Sequence, residues 1–335
     1  MNMNYLVIGI LVAIVAVIAG VFLITAPHEQ PGPVVYMVYG ADKGDLSYTD
    51  SAYRGLFAAQ EKMHFSKREF TSFNTTVFPE LSRMKDGEKP GLVITIGFNY
   101  AGETDRLSEE NPSIRFLAID QTGIGSGNVE AYEITSYGES YLAGVLAAQA
   151  SRTHRVGIIL GMPSPHLDAF RQGYIDGARA ADPPATVDLA YVSDTTAGFT
   201  DPGTARQIAS RMYRNGTDVI YTVAGFSGTG AIAEAKTAPG RYIIGVDSDQ
   251  THLGPSVVLA SAVKRMDLVV MDGIRKYLDG TFRGGNTVAG LKEGVTALVY
   301  NPKFSSYNAS VSAWENKARE EEARYLAMRS VPAQA

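Results

Sequence analysis

The chain has 335 residues, a net charge of −5, and 45% hydrophobic against 19% charged residues, so it is neither disordered nor a basic nucleic-acid binder. It has no cysteine, which removes disulfides, thiolate metal sites, cysteine nucleophiles and a lipid-modified N-terminal cysteine together. Its five histidines (His28, His64, His154, His166, His252) are scattered, and HExxH and GxSxG patterns are missing, so no metal or cofactor is expected.

Residues 1–27 carry no charge, and Tyr5 to Thr25 is a near-continuous apolar run. As a helix at about 1.5 Å per residue it reaches roughly 30 Å, the thickness of a bilayer core. An uncleaved anchor fits this run better than a cleaved secretory signal, because the basic n-region is missing and the run is longer than a signal's apolar stretch. No Lys or Arg flanks it, so charge gives no orientation. Residues 28–33 (HEQPGP) read as a linker whose Pro and Gly stop the helix.

Beyond the linker, apolar runs alternate with amphipathic segments. Strands are predicted at Val34–Tyr39, Glu69–Phe73, Leu92–Ile96, Ile114–Ile119, Val156–Leu160, Val187–Val192, Asp218–Val223, Tyr242–Val246 and Val257–Val263. Helices are predicted near Ser51–Lys62, Tyr100–Glu110, Gly138–Ser151, Leu167–Ala180, Asp201–Arg214, Thr229–Lys236 and Asp267–Leu278, and a charged helix at Ser310–Met328 docked by its apolar side. Such alternation means α/β architecture with parallel sheets covered on both faces. About 300 residues suit two Rossmann-like lobes. The expected division gives 34–152 plus about 249–280 to the first lobe and 153–248 plus about 281–335 to the second.

Ligands of open α/β sheets sit beyond the carboxyl ends of the strands. Candidates there are Asp42, Asp45, Ser47 and Tyr48; Gly97 and Phe98; Asp120 and Gln121; Phe199 and Asp201; the glycines from Gly225 to Gly230; Asp247 to Gln250; and Lys264. Any one of these reads equally as a turn residue, a cap or a core side chain. Their convergence on one cleft is what favours a site. GIGSGN (Gly123–Asn128) is not a dinucleotide fingerprint, since the strand-like NVEAYEI follows it where a helix should begin. AGFSGTGAIAEAK (Ala224–Lys236) has the strand–turn–helix context but lacks both the GxGxxG spacing and a GKS/T ending. Apolar and aromatic walls with a few fixed polar groups suit ligand capture better than bond cleavage.

Several blocks carry a family resemblance: GDLSYTDSAYRGL (Gly44–Leu56), GESYLAGVLAA (Gly138–Ala148), RVGIILGM (Arg155–Met162), GTDVIYTVAGFSGTG (Gly216–Gly230), IGVDSDQ (Ile244–Gln250) and SAVKRMD (Ser261–Asp267). They resemble, in order, blocks of the basic membrane protein family, the nucleoside-type substrate-binding proteins of ABC transporters. The resemblance implies a type I periplasmic-binding-protein fold closing about a hinge on a nucleoside, purine foremost, or a related small heterocycle. Tyr48 and Phe199 fall on its stacking aromatics, Asp120 and Asp247 on its base- and ribose-binding carboxylates, Lys264 on its ligand-contacting lysine and Gly225 on a cleft glycine. Asp45, Ser47 and Thr49, in the block around the first aromatic, are expected to bind ligand with them.

The chain departs from the family pattern at Thr49, Asp50 and Tyr39. Asp42 is a candidate replacement for the family's strand-ending Asp, and Tyr48 adds a hydroxyl to the stacking ring. The resemblance further implies a permease and an ATPase as partners, a monomer, no nucleic acid, and a domain held outside the plasma membrane by the N-terminal segment in place of a lipidated cysteine, as suits an archaeal-type cell surface. A tethered ligand sensor on the same fold and a nucleoside-processing enzyme are the alternatives.

Overall fold

The computed structural model describes residues 32–71, 77–85 and 87–329. The expected anchor at 1–27 lies outside these residues, and among the described ones no helix is long and apolar enough to cross a membrane. The first half runs β1 (Val34–Tyr39), α1 (Tyr48–Lys62), β2 (Ser66–Phe70), α2 (Val77–Arg83), β3 (Leu92–Ile96), α3 (Ala101–Glu110), β4 (Arg115–Ile119), β5 (Val129–Ile134) and α4 (Tyr137–Ala150). The second runs β6 (Arg155–Leu160), α5 (Pro165–Ala181), β7 (Thr186–Tyr191), α6 (Pro202–Arg214), β8 (Val219–Val223), α7 (Gly228–Ala235), β9 (Tyr242–Asp247) and β10 (Val258–Lys264). It ends in α8 (Met266–Leu278), β11 (Gly285–Ala289), β12 (Thr296–Tyr300), α9 (Asn308–Ser312) and α10 (Glu315–Arg329).

Central strands such as β3 (LVITI) and β8 (VIYTV) are buried along their whole length, as apolar β-branched runs between two helix layers should be. They build two six-stranded sheets, ordered β11-β5-β4-β3-β1-β2 and β12-β10-β9-β8-β6-β7. The first is parallel throughout; in the second only β12 runs antiparallel, against β10. Within each lobe the first five strands take the order 2-1-3-4-5, a doubly wound sheet whose order reverses between strands one and three.

Sheet membership moves the expected lobe boundaries. α4 packs on α5 and the second sheet, so the first crossing falls at 134–137 rather than near 152. β10, expected in the first lobe, lies in the second sheet; α8 then returns to pack on α1, β11 adds to the first sheet, and β12 goes back to the second. Three crossings, at 134–137, 264–266 and 289–296, therefore join the lobes. The charged turn at Arg152–Arg155 is simply the connection from α4 to β6. An apolar helix reads the same whichever sheet it covers, so its sequence could not assign it to a lobe.

β2 lies three residues earlier than predicted. α2, β11 and β12 were not anticipated: α2 spans only seven residues, and β11 (GNTVA) is an edge strand with one buried side chain. The C-terminal segment forms α9 and α10. It docks through Tyr325, stacked on Tyr137 at 4.7 Å between ring centroids, and through Trp314 near Tyr141. One of its charged residues, Glu322, faces inward and is 3% exposed, which a solvated charge pattern does not foretell.

Candidate ligand-binding site

After β1 the chain passes through a polar loop before α1. Both Asp45 carboxylate oxygens are engaged locally: Oδ1 accepts from the amides of Ser47 (3.0 Å) and Asp50 (3.1 Å), and Oδ2 from Thr49 (2.8 Å). Asp50 in turn accepts from the amides of Gly44 and Leu46. This reciprocal capping satisfies the free N–H groups of the helix start and aims Ser47 and Tyr48 at the second lobe. Burial raises the Asp45 carboxyl above its usual range, against the pull of those amides. Thr49 is buried and its hydroxyl has no partner among the described residues. Asp42 is exposed.

Asp120 directly follows β4, and Asp247 ends β9, the fourth strand of each sheet. Both have left-handed backbones, φ 57° and 61°. Non-glycine residues hold that conformation at a cost of about 1–2 kcal/mol, and such strain gathers where a side chain must be aimed. Asp120 Oδ1 accepts from the Ile134 amide (3.2 Å), and Oδ2 accepts from the Tyr48 hydroxyl (3.0 Å) and from Lys264 Nζ (2.8 Å). Lys264, at the end of β10, thus reaches from the second lobe to a carboxylate of the first. Its ammonium lies 5.7 Å from the Tyr48 ring centroid and 5.1 Å from that of Phe170.

Asp247 faces the opposite way across the same gap. Its Oδ2 accepts from the Ser47 hydroxyl at 2.7 Å. Around it, Ser248 Oγ donates to the Ser47 carbonyl (2.6 Å), Gln250 Nε2 to the Leu46 carbonyl (3.2 Å) and Arg54 to Ser248 Oγ (3.0 Å). Burial pushes the Asp247 carboxyl up to about 6, although Lys264 and Ser47 pull it down. Burial alone would lower Lys264; Asp120 and Asp247 outweigh it and hold the ammonium above the usual range. The Tyr48 hydroxyl is raised well above its ordinary value, by burial first and then by Asp120.

Phe199 lies in a short 3-10 turn before α6, half-buried against the second-lobe core. Its ring lies so close to Gly161, at the end of β6, that a Cβ there would stand 2.5 Å from the ring. Gly225, after β8 and at φ 53°, flanks it on the other side. The ring therefore sits over the switch point of the second sheet, at the ends of β6 and β8. Asp201 caps α6 by accepting from the Thr204 amide.

The structure brings Ser47, Tyr48, Asp120, Asp247 and Lys264 into one buried network drawn from both lobes. It sets Thr49 beside them and Phe199 with Gly225 on the second-lobe strand ends. Phe170 was not singled out as a ligand or closure residue, whereas Ser248 and Gln250 were candidates within the Asp247-to-Gln250 run and are placed where they bond to the first lobe. Phe170 reads as an ordinary core position on an amphipathic helix, and only the fold reveals Lys264 over its ring. A further contact crosses the cleft mouth: Phe98, after β3, stacks on His166 at the start of α5, centroids 4.6 Å apart and planes 18° from parallel. Burial there lowers the imidazole below its ordinary range.

The sequence matches, over residues 33–334, the family described as ABC transporter substrate-binding protein PnrA-like. It is 31% identical over 282 residues to basic membrane protein A1 of Borrelia garinii subsp. bavariensis, covering 82% of each chain. It is 32% identical over 271 residues to the ABC transporter nucleoside-binding protein BmpA of Lactococcus lactis subsp. cremoris, covering 75% of this chain and 76% of that one. Among solved structures, an ABC transporter solute-binding protein from Aeropyrum pernix superposes with a TM-score of 0.72 at 25% identity, covering 88% of this chain and 85% of that one. A transcriptional activator of the comK gene from Bacillus halodurans superposes at 0.70 with 21% identity, covering 90% of this chain and 100% of that one, a likeness of fold alone. Two lobes of the type I periplasmic-binding-protein kind are thus what the superposed solute-binding protein also builds, and the chain belongs to the PnrA-like family of ABC transporter substrate-binding proteins.

Proposed function

We propose that this chain captures a nucleoside, purine foremost, outside the cell, closes on it about the three crossings, and surrenders it unaltered to an ABC permease driven by its ATPase. The observation that carries the reading is the buried network in which Tyr48 and Asp120 of one lobe meet Asp247 and Lys264 of the other. Tyr48 and Phe199 supply aromatic faces for a base, each worth about 1–3 kcal/mol by stacking. Asp120 accepts from the base edge, and Asp247 accepts from two vicinal ribose hydroxyls. The named ligand of the Lactococcus relative supports the same class.

No bond is broken in this scheme; ligand affinity for the closed form shifts the population towards it. The N-terminal apolar segment tethers the domain to the plasma membrane, and the protein acts as a monomer. Mass spectrometry of small molecules released by denaturing the purified full chain tests the reading: an intact nucleoside is expected. Release of free base after incubation with nucleosides would instead mark an enzyme, and a co-purified sugar would remove the nucleoside assignment.

A further inference from the structure

Asp120 has nearly exhausted its capacity as an acceptor. An ionised carboxylate offers about four lone-pair positions, two on each oxygen. Oδ2 already accepts from Tyr48 Oη at 3.0 Å and from Lys264 Nζ at 2.8 Å. Oδ1 accepts from the Ile134 amide at 3.2 Å. One position, on Oδ1, is left. These three donors are held in place: Ile134 N is backbone of β5, Lys264 is 6% exposed at the end of β10, and Tyr48 opens α1 behind the Asp45 cap.

We infer that the Tyr48 hydroxyl is a specificity element that limits Asp120 to a single donor on the ligand, and so selects bases whose edge offers one ring N–H over bases that offer two adjacent donors. The inference rests on the nucleoside reading above. A 6-oxopurine without a 2-amino group presents one ring N–H, which the free Oδ1 position can take. A guanine edge presents that N–H and an amino N–H side by side and calls for both carboxylate oxygens. Oδ2 could serve the amino group only by giving up Tyr48 or Lys264, leaving a buried donor unpaired. An unpaired buried polar group discriminates far more strongly than a small change in apolar contact. A phenylalanine at position 48 keeps the aromatic face and frees one Oδ2 position, so the hydroxyl and the ring have separable roles.

The test is calorimetry of the purified full chain and of Tyr48→Phe with inosine, guanosine and 1-methylinosine, with a thermal melt of each protein. The wild type is expected to bind inosine at least tenfold more tightly than guanosine, and to lose at least tenfold with 1-methylinosine, whose ring N–H is replaced. Tyr48→Phe is expected to shrink the inosine-to-guanosine ratio at least fivefold, mainly by gaining guanosine affinity. A wild type that binds guanosine as tightly as inosine overturns the inference without any variant. So does a ratio unchanged by Tyr48→Phe in a protein that melts normally. In both cases nucleoside capture itself stands. Failure of the wild type to bind any of several nucleosides would remove the nucleoside reading and this inference together.

Discussion

Glu139 sits in the first turn of α4, just past the first crossing between the lobes. It is fully buried, and neither carboxyl oxygen has a partner at full hydrogen-bond geometry among the described residues, although its own amide and the Thr296 hydroxyl lie close enough to favour the charged form. Burial first, and the nearby Glu322 second, push its carboxyl from an ordinary 4.5 up to about 8. A folded-state value above the unfolded one means that protonation favours the fold. The stabilisation is complete below about pH 4.5 and is lost as pH rises through about 8. A shift of about 3.5 units at 1.36 kcal/mol each makes the full swing on the order of 5 kcal/mol.

Glu139→Gln keeps the shape and neutrality of the protonated acid but cannot titrate. The variant should match the wild type within about 1 kcal/mol at pH 5 and exceed it by about 4 kcal/mol at pH 8.5. Unfolding entropy of about 2.1 cal/mol/K per residue over roughly 300 residues converts that gap to a Tm difference near 6 °C. Calorimetric melts of both proteins at the two pH values measure it, and subtracting one from the other cancels the titrating groups that Glu139 does not touch, leaving Glu139 with its coupled neighbour Glu322. Parallel pH profiles for wild type and variant would refute the idea that Glu139 carries a proton in the folded protein.

Other outcomes follow from the same geometry. A Cβ on Gly144 would stand 2.1 Å from the Tyr174 carbonyl oxygen, where α4 crosses α5, so Gly144→Ala should cost about 1–3 kcal/mol in denaturant unfolding; an unchanged midpoint would contradict the close crossing. Phe199→Ala should weaken purine-nucleoside binding at least tenfold, about 1.4 kcal/mol, while the melt stays near that of the wild type. An unaltered affinity would take the ring out of the site. Because burial raises Asp247 to about 6, its acceptor carboxylate is lost as pH falls through that value, so riboside affinity should drop below pH 6 while free-base affinity does not. Equal losses for both would contradict the ribose assignment, as would equal losses in Asp247→Asn.

Much of the strand–helix alternation was legible because parallel strands buried on both faces are short β-branched runs; β3 matches its predicted bounds to the residue. The segments that escaped are those with little to bury. β11 lies at a sheet edge and α2 spans two turns, so neither leaves a hydrophobic period in the sequence. The lobe boundaries escaped for a different reason. Which sheet a strand joins is set by contacts far along the chain, and β10 reads identically in either. Among the candidate site residues, the strand-end rule picked out Asp120, Asp247 and Lys264, but it could not show that Tyr48 and Lys264 share one oxygen of Asp120 or that Ser47 serves Asp247. Phe98 stood at a strand end too; its partner His166 lies 68 positions away on the other lobe, a pairing no local pattern contains. Glu322 was read with a solvated helix face, yet it accepts from the amides of Gly138 and Leu291 and so ties α10 to the first and third crossings.

The pairing of charges across the gap has an energetic consequence for closure. Lys264 is buried in the second lobe but its carboxylate partner comes from the first; Asp247 is buried in the second and its hydroxyl donor comes from the first. Separating the lobes strips each group of its partner and at the same time admits water to solvate it. Removing charges from water costs several kcal/mol per ion and the pairing regains a comparable amount, so buried pairs of this kind come near to breaking even. The closure proposed above, driven by them alone, is then close to balanced, and a modest difference in ligand affinity between the two forms decides the population: a factor of about one hundred carries an even equilibrium to 99:1. A cleft lined with apolar partners instead would stay shut without cargo. The same accounting explains why both aspartates are held at left-handed backbone angles. Each must present its carboxylate to the opposite lobe, and at the end of a buried strand an ordinary β conformation continues the strand rather than turning the side chain across the gap.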